Sequence, residues 1–370
     1  MNLGKGINLG GIFSQFDDKK PLYDKYLDES VIKGFKDSGF DHIRVPVDFK
    51  FLENSSGVVN EACYILLEQT LSWCKKYGLN VVLFLHRVSS FSFVKPEQDN
   101  MVITRPEPDT NVNESPITIA STKSSKEPPF ITNTLKRKNY LHILKTLVQR
   151  YADCDFVAYE LIKGSFDNMY SDLWNELIDE SVRLIRSIAP DRTIIYGGCS
   201  WTDPNTISFL SKPKDENIIF AFRYFEPYLF THQQCNFING ISQTDVVSYH
   251  STMDFYKSRS GKLGKFGAIV NRSSSSKMGY EFHEDNLKHV VDYVSRFNIK
   301  LYCCEFGVIN KATKGDIDEW FSDVVKLFEK NDIACCFWNY ADVNFNLDNP
   351  MRYFNGGKKG FFKRLFGKRV

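Results

Sequence analysis

The stretch CYILLEQTLSWCKKYGLNVVLFLH, residues 63–86, changes its hydrophobic period once, and that change decides the fold. Cys63, Leu66, Leu67, Leu71 and Cys74 recur at the spacing of one helical face, and the pattern stops at Gly78, a residue suited to the left-handed turn that ends a helix. The following run, NVVLFLH (80–86), is apolar at nearly every position, as a strand covered on both faces must be. A helix that feeds a doubly covered strand is the unit of a parallel α/β sheet. Seven further runs read as such strands: INLGG (7–11), HIRVPV (42–47), FVAYELI (156–162), TIIYGG (193–198), NIIFAFRYF (217–225), KLYCCEFGV (300–308) and ACCFWNY (334–340). Eight strands, each followed by a helix or a long connection, predict an α/β chain folded as a single (β/α)8 TIM barrel over residues 1–350.

Two regions break this rhythm. Residues 88–131 are rich in Pro, Ser, Thr and Asn and follow the third strand, where an ordinary connection has roughly 2–6 residues. On a barrel that position is at the active-site end, so the segment reads as a lid or as an insertion. The tail, 351–370, places Phe361, Phe362, Leu365 and Phe366 on one helical face among Lys and Arg. It reads equally as a basic amphipathic segment suited to peripheral contact with an anionic membrane and as a short last barrel helix.

Bulk composition excludes several function classes. A net charge of +2 over 370 residues does not mark a polyanion binder, and no nucleic-acid module is recognisable. No stretch is apolar for long enough to span a bilayer. The opening MNLGKGINLGG lacks the basic and apolar segments of a secretory signal. Nine cysteines without CxxC spacing read as buried free thiols in a reducing cytoplasm, at the inner face of the membrane if the tail binds there. Seven histidines without HExxH or comparable spacing give no metal site, and no cofactor is expected.

The segments GINLGG (6–11), HIRVPVDF (42–49), LFLH (83–86), AYELI (158–162), FEPYLFTHQ (225–233), CCEFGV (303–308) and FWNY (337–340), taken in order, resemble the cellulase-like glycoside hydrolase family 5, one of the retaining (β/α)8 glycosidases. The resemblance covers nearly the whole chain. It implies a carbohydrate ligand at the C-terminal ends of the strands. It also implies two carboxylates about 5 to 5.5 Å apart, a nucleophile and a proton donor. By this resemblance Glu305 matches the nucleophile, Arg44 the arginine that orients it, His86 a histidine of the substrate floor and Trp338 the aromatic sugar platform.

The proton donor does not match. Where the family has Asn-Glu-Pro after its fourth strand, this chain has Lys163, Gly164 and Ser165, which puts Gly164 in the donor's position. Glu160 shares the inward face but would lie roughly 13 Å deeper on a straight strand, in a buried polar network. Asp167 is a weaker candidate from the following loop. The family's His-x-Tyr becomes Arg223, Tyr224 and Phe225, removing a hydroxyl expected near the nucleophile. Arg87 follows His86, and Phe84 stands at a commonly acidic position. Arg87, Lys163 and Arg223 thus join Arg44, an excess of cations that either neutralises Glu305 or suits an anionic ligand.

Three functions are consistent with these residues. The first is a carbohydrate-binding barrel that has lost hydrolysis. The second is glycosyl transfer from an activated phosphate or nucleotide sugar by Glu305, of use in surface-polysaccharide assembly. The third is a retaining β-glycosidase with an unusual proton donor.

Overall fold

The computed structural model describes residues 1, 3–14, 27–53, 58–87, 130–340, 344–345 and 350–354. Eight parallel strands close into a barrel in strict sequence order. They are β1 (Lys5–Asn8), β2 (His42–Asp48), β3 (Asn80–Arg87), β4 (Val157–Glu160), β5 (Ile194–Gly197), β6 (Ile218–Tyr224), β7 (Lys300–Phe306) and β8 (Ala334–Phe337). All eight expected strands are present, but most are shorter than their apolar runs. β4, for example, ends at Glu160 rather than Ile162, because the strand tops diverge into the loops that build the mouth.

Six long helices surround the strands among the described residues: α1 (Glu29–Asp37), α2 (Glu61–Tyr77), α3 (Thr134–Arg150), α4 (Ser171–Ile188), α5 (Tyr280–Arg296) and α6 (Lys314–Lys330). Their starts follow from local chemistry. Asp28, Asn60, Asn133 and Thr313 each accept a backbone N–H of the first turn of α1, α2, α3 and α6. Helix α2 ends where the sequence predicts, with Gly78 at φ 66°. Its buried stripe is Tyr64, Leu67, Thr70, Leu71 and Cys74, while Cys63 and Leu66 lie at the edge of that face and are only half-buried. β5 and β6 are joined by short helical turns at Cys199–Thr202 and Pro204–Phe209 instead of a long helix.

Alternation along the strands sorts two cores. Outward residues such as Ile43, Val45, Phe222 and Cys303 pack under the helices. Inward residues Val82, Ala158, Ile195, Ile219, Ala221, Tyr302, Cys304 and Cys336 fill the barrel. The interior has a polar level too. His42 bonds the Leu3 carbonyl through Nδ1 and the Tyr302 hydroxyl through Nε2, and burial pulls its pKa down to about 4, so the ring is neutral.

All nine cysteines are free, and seven of them are buried. Burial pushes the thiols of Cys303 and Cys304 well up, which keeps them protonated. The insertion expected at 88–131 lies outside the described residues up to 129, and Phe130 and Ile131 are buried at the entry to α3. The tail from 355 also lies outside them, while Met351 and Phe354 pack into the core.

Candidate active site

The mouth of the barrel is organised around one guanidinium. Arg44, fully buried on β2, donates from Nε to Glu160 Oε2 at 2.6 Å and from Nη2 to Glu160 Oε1 at 2.7 Å, a bidentate pair. Its Nη1 donates to Asn8 Oδ1 and to Glu305 Oε1, both at 2.8 Å. Asn8 in turn donates to the carbonyls of Cys304 and Phe337, tying β1 to β7 and β8. The ring of Phe84 lies 4.0 Å from the guanidinium carbon, a cation–π contact.

Glu305 reaches this site through an irregularity in β7. Tyr302 and Cys304 face inward, so simple alternation would send Glu305 outward under the helices. The β7–β8 register shifts between Cys303 and Phe306, and the β6–β7 register shifts beside it. The extra residue turns Glu305 into the mouth next to Cys304.

Lys163, from the loop after β4, donates to the same Oε1 at 2.5 Å and lies 5.1 Å from the Phe84 ring. Glu305 Oε2 carries no hydrogen bond among the described residues, and Arg223 Nη1 stands 3.7 Å from it. Arg223 is held by Nε, which donates to the Trp201 carbonyl at 2.6 Å. Trp201 lies in a left-handed turn of Ser200, Trp201 and Thr202, with φ of 51°, 67° and 63°. Its N–H bonds the Gly164 carbonyl, so this turn is stitched to the loop after β4.

Gly164 is enclosed by that stitching. A Cβ built on it would stand 2.9 Å from the Gly198 carbonyl oxygen and 3.2 Å from Cys199 Cα, both backbone atoms. Glu160 sits one guanidinium away from Glu305, in the buried network expected for it. The 13 Å extrapolation does not apply beyond Glu160, where β4 ends. Asp167 is exposed and accepts the Met169 N–H as a cap.

The remaining expected residues divide into rim and floor. His86 Nδ1 pairs with Asp48 Oδ1 at 2.9 Å. Trp338 lies against Gly10, where any Cβ would stand 2.8 Å from the indole, and the neighbouring Asn339 exchanges two hydrogen bonds with the Gly10 backbone. Only the backbone of Arg87 is described, paired with Asp48, so its side chain stays outside this site's geometry. Tyr224, beside Arg223, turns outward and bonds His283, and Phe225 packs on His232. Asn8 and Trp201 are site residues that the motifs did not single out.

The family model for cellulase, glycosyl hydrolase family 5, matches residues 3–344. The chain belongs to glycosyl hydrolase family 5. Among its family 5 relatives, cellodextrinase A of Ruminococcus flavefaciens is 28% identical over 331 residues, 89% of this chain and 83% of that protein. Endoglucanase C of Acetivibrio thermocellus is 28% identical over 361 residues, 94% of each. Two solved structures share the fold. Cellulose synthase subunit Z of Clostridioides difficile superposes with a TM-score of 0.69 at 21% identity, covering 100% of this chain and 99% of that one. Cel5A of Thermotoga maritima in complex with cellobiose gives 0.70 at 19%, covering 99% and 98%.

Charge in this family 5 barrel is held far from its solution behaviour. Burial alone would push Glu305 up, but Lys163, Arg44 and Arg223 outweigh it and hold the carboxyl well below the usual carboxylate range. The ammonium of Lys163 is pulled from 10.5 down to about 8, by burial first, with Glu305 opposing and Arg223 and Arg44 adding to the shift. Arg44→Met would leave Glu160 buried without its bidentate partner, so we expect a loss of about 3–5 kcal/mol in urea unfolding. Between pH 8 and 10.5 the unfolded chain holds the Lys163 proton and the folded chain has released it. Stability relative to Lys163→Met therefore rises across that window, as melting curves will register. A flat difference would contradict the shift.

Proposed function

We propose that this barrel binds a carbohydrate chain across the C-terminal ends of its strands and does not hydrolyse it. The observation that carries this reading is the pair Gly164 and Glu305. Hydrolysis of a sugar–sugar bond needs a proton delivered to the leaving oxygen, and loss of a general acid costs about 10² to 10⁴ in rate, more for a poor leaving group. Gly164 stands where the family carries that acid and has no side chain. Its Cα faces backbone on the side where a carboxylate would begin. Glu305 meanwhile gives one oxygen to Arg44 and Lys163 together.

Binding needs less than hydrolysis. Trp338, just past β8 and 7% exposed, is the aromatic ring the reading assigns to stacking on a sugar, and its indole N–H makes no hydrogen bond among the described residues. His86 and Asp48 supply polar groups on the floor. The relatives are named for cellodextrins and glucans, and one neighbouring structure holds cellobiose, which makes a β-linked glycan the first ligand to test.

A second reading rests on Glu305 Oε2, which belongs to a carboxyl held ionised by its cations and has no hydrogen bond among the described residues. A sugar phosphate or nucleotide sugar would let that oxygen attack the anomeric carbon while the phosphate leaves with the bonding electrons and needs no proton. The glycosyl group would then pass to an acceptor hydroxyl, whose proton goes to solvent.

The test of the first reading is calorimetric titration of a panel of β-linked neutral and acidic oligosaccharides, with recovery of each. We expect at least one to bind and be recovered intact, and Trp338→Ala to weaken it about 10-fold. Cleavage that disappears in Glu305→Gln, or binding by none, would overturn it. Intact mass after incubation with 2-fluoro glycosyl phosphates and fluorides separates the second reading. A glycosyl adduct absent from Glu305→Gln supports transfer, and an unchanged mass leaves binding alone.

A further inference from the structure

Within the buried network of the mouth, Glu160 and Glu305 are bound by Arg44 and Lys163, each in direct hydrogen-bonded contact. Arg223 is a further cation at the edge of that network, outside its hydrogen bonds. Its distance of 3.7 Å from Glu305 is too long for a hydrogen bond. Glu226, three residues along, offers no counter-charge. Burial first and Asp203 second push its carboxyl well above the usual range.

Arg223 is nevertheless built into place. Its Nε is fixed on the Trp201 carbonyl, and its guanidinium lies 5.4 Å from the Trp201 ring. The side chain is partly open, at 19% exposure, and neither Nη atom has a hydrogen-bond partner among the described residues. Three consecutive residues with positive φ aim that carbonyl at it, a backbone arrangement that non-glycine residues rarely adopt. The Tyr228 hydroxyl, which feels the charges of Arg223 and Glu305, is also without a hydrogen bond among the described residues, and its ring is stacked on His232 at 4.8 Å.

An arginine with one edge anchored and two amino groups open presents the fork that receives a carboxylate or phosphate. We propose that the glycan of this site carries an anionic group on a sugar, received by the Nη atoms of Arg223 with the Tyr228 hydroxyl beside it. The proposal rests on the carbohydrate-binding reading above and narrows its ligand to acidic sugars. Lys163 is committed to Glu305 Oε1 and is not available to the incoming anion.

The test is titration of the full chain with three probes: cellotetraose, the same chain oxidised at C6 to glucuronate, and glucose 1-phosphate. We expect an acidic probe to bind at least about 10-fold more tightly than cellotetraose. Arg223→Gln should abolish that preference, and Arg223→Lys should keep part of it. Preference for the glucuronate chain assigns the anion to a carboxylate, and preference for glucose 1-phosphate assigns it to a phosphate. Equal binding of neutral and acidic probes, or a preference that survives in Arg223→Gln in a chain that melts like the wild type, overturns this proposal and leaves carbohydrate binding standing. Binding of none overturns both.

Discussion

The guanidinium of Arg44 is the constraint on which the site depends. It is fully buried, and each of its donor nitrogens is committed, to Glu160, Asn8 or Glu305. A buried ion pair of this kind is poor evidence of stability in itself, since desolvation can exceed the attraction. What it does is fix position. Three strands, β1, β2 and β4, converge with the irregular part of β7 on one planar cation, and Glu305 has little freedom left.

That constraint gives the departures around it a common physical sense. Phe84 lies against two cations, Arg44 and Lys163, where a further carboxylate would have added negative charge to an already paired floor. Lys163 fills the space over Glu305 Oε1. Gly164 lets the loop after β4 lie against the backbone of the turn after β5, and that turn in turn holds Arg223. The glycine at 164, the close approach of two loops and the placing of Arg223 are linked through the turn at Trp201.

The barrel was legible because doubly covered strands are apolar over several residues and Gly78 marks a helix end at close range. Strand ends were less so. The apolar run around β4 continues past Glu160, and only the geometry of neighbouring strands shows where pairing stops. Glu305, Arg44, His86 and Trp338 could be picked out by order and spacing. The inward turn of Glu305 depends on a register shift that alternation would have denied. The clasp of Ser200, Trp201 and Thr202 had no sequence signal, since CSWT contains no glycine to announce a positive φ. Asn8 and Trp201 owe their roles to long-range contacts, which a local pattern does not carry.

The central claim is that a nucleophile position persists opposite an empty proton donor position. It is tested most directly by comparing turnover of cellotetraose with that of 2,4-dinitrophenyl β-cellobioside, whose leaving group needs no acid, in the wild type and in Glu305→Gln. The account predicts that cellotetraose is cleaved no faster by the wild type than by Glu305→Gln, even if the activated glycoside is cleaved. Comparable, Glu305-dependent cleavage of both would mean that a proton donor is present and would contradict it.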